Sequence, residues 1–378
     1  MKILHIIYDS PNNKWMGGGG ALRVNEIYKR FSKKENILII SGRFSYIKEE
    51  KINGVNYRYL GFYNNYLISR LTFILFSFFY IIFNHKKYDL IIEELGPCPL
   101  FLPIYIKNTP IIGSIQVILK QEFKKEIVYK ILWFLQKLAF GIYKNKMTVS
   151  DYTERVIKKE ISNKEKVVVI YPGIEKIKIG YNNNKKEKYI LYLGRLDYVE
   201  KGIDLLLEAI NFIKNDLEKK IKFYLVGNGK KDNLKKIKDY INLYKLKNRI
   251  KILGYKCGKE KYRLIKNSLF LCLPSRNENF PLVVLEAFYF KKTIICSNVG
   301  GLKEIISKSR ACLTYNKENV IDLAHKIKSL VNNKFLRIQL GKKGKLWIKN
   351  LTWEKCAEKT FKFYYSILKQ RNKNVLQK

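Results

Sequence analysis

The segment 275-SRNENFPLVVLEAF-288 carries two glutamates, Glu278 and Glu286, with seven residues between them. Glu278 stands in a polar run, whereas Glu286 is embedded among Val283, Val284, Leu285, Ala287 and Phe288. An ionised carboxylate only accepts hydrogen bonds, so a pair presented together suits a hydroxyl-rich ligand and vicinal diols in particular. Pro281 fits a first helical position and Asn279 a cap, so the pattern predicts a helix over 282–290. Glu278 then stands just ahead of the positive end of that helix. Glu286 lies roughly 7 Å further along, at about 1.5 Å per residue. An exposed helix glutamate is the plain alternative for Glu286, but its neighbours leave no polar face for it.

Three other segments are suited to anions. In 189-YILYLGRLDYVEKGIDLL-206, Gly194 and Arg195 close an apolar strand, and Lys201 and Gly202 open the next helix. Arg offers a planar fork to phosphate oxygens and Lys a compact charge; beside a helix N-terminus the two suit a diphosphate. Two surface cations among 74 basic residues are the plain alternative. The stretch 224-YLVGNGKK-231 ends a strand in Gly227, Asn228 and Gly229, which is either a tight turn or a close backbone approach to a base or ribose. Gly300 and Gly301 in 298-NVGGLKEI-305 offer a nest of backbone amides.

The elements that must position these residues alternate. Apolar strands are expected near 2–8, 37–41, 88–94, 111–115, 146–151 and 166–174, with helices after the glycine run Gly17, Gly18, Gly19, Gly20 and over 71–83 and 126–143. The polar stretch 175–188 has the composition of a linker. The alternation then restarts, with strands near 189–194, 221–227, 249–254, 269–275 and 293–298 and helices between them. Strands alternating with helices imply parallel sheets covered on both faces. In such sheets ligands bind beyond the carboxyl ends of the strands, where the segments above fall.

The 378 residues suit two domains, and 47% hydrophobic with 28% charged residues exclude a disordered chain. The net charge of +42 points to an anionic membrane surface or acceptor, or only to a composition rich in Lys, Ile, Asn and Tyr. Nothing in the sequence matches a nucleic-acid-binding module. The six cysteines form no CxxC pair, and they fit core positions in a reducing compartment. The amino end has no cleavage-site pattern, so no signal peptide is expected. The stretch 71-LTFILFSFFYIIF-83 is too short to span a bilayer, which needs about 20 residues, and a buried helix is expected there. An interfacial helix flanked by cations is the alternative.

From GRLDYVEKG through VGNG to PSRNENFPLVVLEAF and NVGGLKEI, over about residues 189–310, the chain resembles the retaining, family 4 (group 1) glycosyltransferases. The resemblance implies the α/β GT-B fold, two Rossmann-like parallel-sheet domains facing each other across a cleft. It divides the chain into 1–180 (acceptor-binding), 181–351 (nucleotide-sugar-binding) and 352–378, a helix crossing back toward the first domain. It implies that Arg195 and Lys201 neutralise the leaving diphosphate, that Glu278 approaches the donor sugar, and that Glu286 holds the ribose. Gly194, Gly227, Asn279, Phe280, Pro281 and Leu282 would complete the donor site, with the loop Gly17–Gly20 against the donor phosphates. The family often has a His after the strand written here IIGSIQ; this chain offers Ser114 or Gln116 on the acceptor side. His5, His85 and His325 fit structural roles.

The function expected is transfer of a sugar, with retention, from a nucleotide-sugar (UDP- or GDP-linked) to a glycan or lipid-linked acceptor in surface polysaccharide or glycolipid synthesis. No metal and no cofactor are expected, no Asp-x-Asp motif being present. The expected location is cytoplasmic, with peripheral attachment to the inner face of the membrane. A sugar-nucleotide epimerase of the same fold and a non-catalytic basic membrane or nucleic-acid binder are the alternatives. A nicotinamide dehydrogenase is excluded, because eight residues separate Tyr8 from Gly17 and no GxGxxG follows a strand.

Overall fold

The computed structural model describes residues 1–13, 15, 18–119, 127–161, 166–177, 179 and 187–376, with side chains to Arg371. Gly17 and most of the linker stretch lie outside the described residues. The chain forms two compact units, 1–173 with 353–378, and 174–352.

The first unit runs β1 (Lys2–Ile6), α1 (Gly19–Tyr28), β2 (Asn36–Gly42), β3 (Glu49–Ile52), β4 (Val55–Leu60), α2 (Tyr66–Asn84), β5 (Leu90–Glu94), α3 (Leu102–Tyr105), β6 (Ile111–Ile115), α4 (Ile127–Ile142), β7 (Asn145–Thr148), α5 (Asp151–Glu160) and β8 (Val167–Val169). Its strands form one sheet in the order β3-β4-β2-β1-β5-β6-β7-β8, parallel except for the β3–β4 pair. The antiparallel pair turns at Asn53 and Gly54, both with positive φ, a hairpin that the alternation of strands and helices does not foretell.

The second unit runs β9 (Tyr189–Leu193), α6 (Ile203–Ile213), β10 (Lys222–Val226), α7 (Lys231–Leu243), β11 (Ile250–Gly254), α8 (Gly258–Asn267), β12 (Leu271–Leu273), α9 (Leu282–Tyr289), β13 (Ile294–Ser297), α10 (Gly300–Ser309), β14 (Cys312–Tyr315), α11 (Val320–Asn332) and α12 (Lys334–Trp347). Its wholly parallel sheet has the order β11-β10-β9-β12-β13-β14. The order reverses between β9 and β12, so the loops leaving these two strands diverge and open a crevice at their carboxyl ends. Arg195 follows β9, and Ser275 to Glu278 follow β12.

The last helix, α13 (Trp353–Leu376), belongs to the first unit and packs on α1. Phe361 stacks on Phe31 at 3.7 Å between centroids, and Tyr364 bonds Tyr28 at 3.2 Å.

Three expectations need correction. The stretch 71–83 belongs to a longer helix, α2, and that helix is not buried. Only Ser69, Phe73, Ser77 and Ile81 are covered, a stripe at spacing four that packs on the sheet. The row Leu67, Leu71, Leu75, Phe79 and Phe83 is 49–78% exposed. Residues 66–87 are long and apolar enough to cross a membrane by length and composition, although a soluble core helix can pass the same test. Cys257 is exposed, whereas Cys272, Cys296 and Cys356 are buried as expected. Asn279 does not cap α9; Pro281 is the N-cap and the helix starts at Leu282.

Candidate active site

The two loops at the β9–β12 switch are joined by an ion pair. Lys201 Nζ donates to Glu278 Oε1 at 2.7 Å, and Ser275 Oγ donates to the same oxygen at 2.8 Å. Arg195 Nη2 lies 2.9 Å from Glu200 Oε2, with Arg195 54% exposed and Glu200 9%. The buried Tyr192 hydroxyl donates to the Arg195 carbonyl at 2.7 Å and so fixes the backbone from which this guanidinium projects. Both cations named from the sequence therefore stand at the strand ends, each already holding a carboxylate. Arg has five donors and Lys three, so both retain capacity for phosphate oxygens. The sequence pattern did not single out Ser275 or Glu200.

Arg276 fixes this loop from behind. Its guanidinium donates to Asp204 at 2.8 Å and to Glu318 at 2.7 Å. These carboxylates hold its charge above its already high ordinary value against the opposing effect of burial.

The glycines explain how close the loops come. A Cβ on Gly227, at φ 147°, would sit 1.8 Å from the Gly194 carbonyl oxygen. The close approach permitted there is thus to the neighbouring loop. Gly301 would place a Cβ 1.7 Å from the Asn279 carbonyl, and its N–H donates to the Glu278 carbonyl at 2.7 Å. That amide is spent on holding the 278–279 turn, so the expected anion nest is partly filled by the chain itself. Phe280 and Leu282 flank the Pro281 cap, and Phe280 is buried.

Glu286 is 5% exposed in an α9 that is apolar on all sides. Burial pushes its carboxyl above the usual range, and Lys261, donating at 2.5 Å, opposes the shift. Lys261 is a second residue that the sequence pattern did not reveal.

In the first unit, a separate polar group gathers at the strand ends below α1. Gln116 Nε2 donates to Glu94 Oε1 at 2.8 Å, and His5 Nε2 lies 3.2 Å from the same oxygen. Gln116 lies against Gly20, where a Cβ would be 3.6 Å away, and Asp9 lies near Gly18. Burial raises the Asp9 carboxyl to about 7, with Glu94 adding and Arg70 opposing. Gly18 is the N-cap of α1, with Gly19 and Gly20 in its first turn. Ser114 is 1% exposed with its hydroxyl enclosed in the sheet, so of the two residues expected on the acceptor side only Gln116 is partly exposed. His5 and His85 bond Tyr28 and Thr109, in keeping with structural roles.

Residues 173–347 match the family described as Glycosyl transferases group 1. The chain is 35% identical over 216 residues to an uncharacterized glycosyltransferase of Methanocaldococcus jannaschii, MJ1178, covering 57% of this chain and 58% of that one. A second from the same organism, MJ1069, is 26% identical over 92% of this chain and 94% of its own length. The N,N'-diacetylbacillosaminyl-diphospho-undecaprenol alpha-1,3-N-acetylgalactosaminyltransferase of Campylobacter jejuni is 27% identical over 59% of this chain and 60% of its own. Among solved structures, sucrose-phosphate synthase of Thermosynechococcus elongatus superposes with a TM-score of 0.82 at 17% identity, over 98% of this chain and 100% of that one. Anabaena HepE in complex with UDP and glucose does so at 0.76 and 16% identity, over 97% and 100%. Residues 173–347 are thus similar to group 1 glycosyltransferases, and the architecture of two parallel-sheet domains is that of the GT-B fold.

Proposed function

We propose that this chain is a retaining, metal-independent glycosyltransferase that moves a sugar from a nucleoside-diphosphate sugar, UDP- or GDP-linked, to a glycan or lipid-linked acceptor. The observation that carries this reading is the meeting of Lys201, Ser275 and Glu278 at the β9–β12 switch, with Arg195 beside them. In the proposed reaction the bond from the anomeric carbon to the diphosphate oxygen breaks, and one to the acceptor oxygen forms on the same face. The acceptor proton passes to the departing phosphate oxygen, so no protein base is needed and the neutral Gln116 is compatible with turnover. Lys201 and Arg195 stabilise the charge growing on the diphosphate, a contribution that preorganised donors make without reorganisation. Glu278 has Oε1 fixed by Lys201 and Ser275, which leaves Oε2 to accept from a sugar hydroxyl. Glu286 takes the ribose.

The relatives' descriptions and the surface of the first unit support a lipid-linked acceptor and peripheral attachment to an anionic membrane from the cytoplasm. On α4, Ile127, Val128, Ile131, Phe134 and Leu138 are 43–73% exposed. Helices α2 and α4 contribute to the same core cluster, so they cover one side of the sheet with their apolar outer rows facing away from it. Arg70, Lys86, Lys87, Lys130 and Lys137 lie on these helices or directly after α2 in the chain. Cations around an apolar face suit anionic headgroups. Co-sedimentation with anionic but not zwitterionic vesicles at low salt is expected, and its loss in Leu71→Asp/Phe79→Asp; absence of binding to anionic vesicles overturns the attachment.

The catalytic reading is tested by thermal unfolding with UDP, GDP, ADP and their sugars in EDTA, on wild type and Glu286→Ala. One nucleotide should raise the midpoint, by an amount that grows with its concentration over Kd, and the variant should lose the shift. The anomeric configuration of the product, read by NMR, tests retention. No shift with any nucleotide and no turnover in EDTA overturn the proposal.

A further inference from the structure

Glu286 lies in the second turn of α9 and Lys261 in the first turn of α8, and both helices start from the carboxyl edge of the sheet. At about 1.5 Å per residue, the pair stands within about 6 Å of the two helix tips. Lys261 Nζ donates to Glu286 Oε1 at 2.5 Å, with the side chains 18% and 7% exposed. The ammonium also lies 4.7 Å from the centroid of the Tyr262 ring, which further restricts it. Among the described residues no second donor reaches Glu286, so Oε2 keeps its acceptor capacity. Lys261 spends one of its three donors on Glu286. Glu278 shows the same arrangement, one oxygen on Lys201 and the other open. Each glutamate of the spaced pair thus has its own lysine.

A carboxylate only accepts and an ammonium only donates, whereas a hydroxyl does both. Two adjacent hydroxyls therefore satisfy the pair together, one donating its proton to the carboxylate and the other offering its oxygen to the ammonium. We propose that Lys261 and Glu286 form one donor–acceptor pair that reads the vicinal diol of the nucleotide ribose, with Lys261 as a specificity-determining residue in its own right. This rests on the assignment of the ribose to Glu286. It adds that Lys261 contacts the ribose and sets the preference for it over deoxyribose. The ion pair opposes burial, which by itself raises the Glu286 carboxyl and favours the neutral acid.

The test is calorimetric titration with UDP, GDP or ADP, whichever binds most tightly, and with its 2′-deoxy counterpart. It uses wild type, Lys261→Met, Lys261→Arg and Glu286→Gln, each first shown to be folded by its unfolding midpoint. Wild type should prefer the ribo form by about 10-fold or more, the ratio expected when a buried charged partner is left unmatched. In Lys261→Met the ratio should fall to within about 3-fold while the deoxy form keeps its affinity, and Lys261→Arg should restore part of it. If wild type discriminates, Glu286→Gln does not and Lys261→Met still does, this inference is overturned and the ribose assignment stands. If wild type does not discriminate, the ribose assignment falls and this inference with it. A change in the preferred base at an unchanged ribo-to-deoxy ratio also overturns the inference, by assigning Lys261 to the nucleobase.

Discussion

Replacing Lys201 by Met removes the ammonium from the carboxyl end of the β9–β12 switch while nearly keeping its volume. The structure allows two losses to be separated. Lys201 and Glu278 are 17% and 14% exposed and 2.7 Å apart, so water screens the pair in part and Ser275 still holds the carboxylate. A hydrogen bond to a charged group is worth about 1.5–3 kcal/mol, and with this screening the expected stability loss is about 1–2 kcal/mol. A domain of this size then unfolds about 2–8 °C lower, so the variant is expected to be folded at assay temperature. The catalytic loss should be larger. Removing one preorganised donor from a developing charge costs about 100- to 1,000-fold in kcat, or about 2.7–4 kcal/mol. The assay is steady-state nucleotide release corrected for folded fraction, with a cycle on Glu278→Gln to measure the coupling of the pair. The expected result is a large fall in kcat with the donor KM changed much less. A kcat within about threefold of wild type, or a loss confined to KM, would show that Lys201 acts only on the ground state, and the mechanism would be refuted.

Three further expectations follow from individual residues. The Asp9 carboxyl has a folded value of about 7 against an ordinary 3.8, so its contribution to stability is fully present below about 4 and is lost as pH rises through 7. Asp9→Asn should therefore raise the unfolding midpoint relative to wild type at pH 8 and leave it little changed at pH 4; equal shifts at both pH values refute the burial argument. Gly301→Ala places its Cβ 1.7 Å from the Asn279 carbonyl, so the 278–279 turn must move. A cost of about 1–3 kcal/mol and loss of the nucleotide-dependent midpoint shift are expected by thermal unfolding with and without ligand. Arg276→Met frees Asp204 and Glu318 from a guanidinium that is 12% exposed, and chemical denaturation should show a loss of about 2–4 kcal/mol, more than Arg195→Met at its exposed position.

The amino-acid sequence alone determined that the chain alternates strands and helices in two halves, because buried parallel strands must be apolar along their length and helices must show a repeat near 3.6. It also marked Glu286, since a carboxylate inside an apolar run is costly unless it has work to do, and Glu278 by its place just ahead of the same helix. It placed Gly194, Arg195 and Gly227 at strand ends and Lys201 beside the start of the following helix, where the structure has them. The β3–β4 hairpin also carries a local signal, its Asn53-Gly54 turn.

What tertiary structure decided was the choice of partner. With 74 basic residues, nothing local says that Lys261 rather than another lysine reaches Glu286, 25 residues away. Such pairs are fixed by which helices the sheet order brings side by side. The same holds for Gly301, whose missing side chain makes room for a carbonyl 22 residues earlier in the chain. The exposure of α2 was beyond the sequence for a related reason. The stripe that meets the sheet carries Ser69 and Ser77 beside Phe73 and Ile81, so the rule that the more apolar face turns inward does not pick it out, and only packing left Leu71 and Phe79 outside.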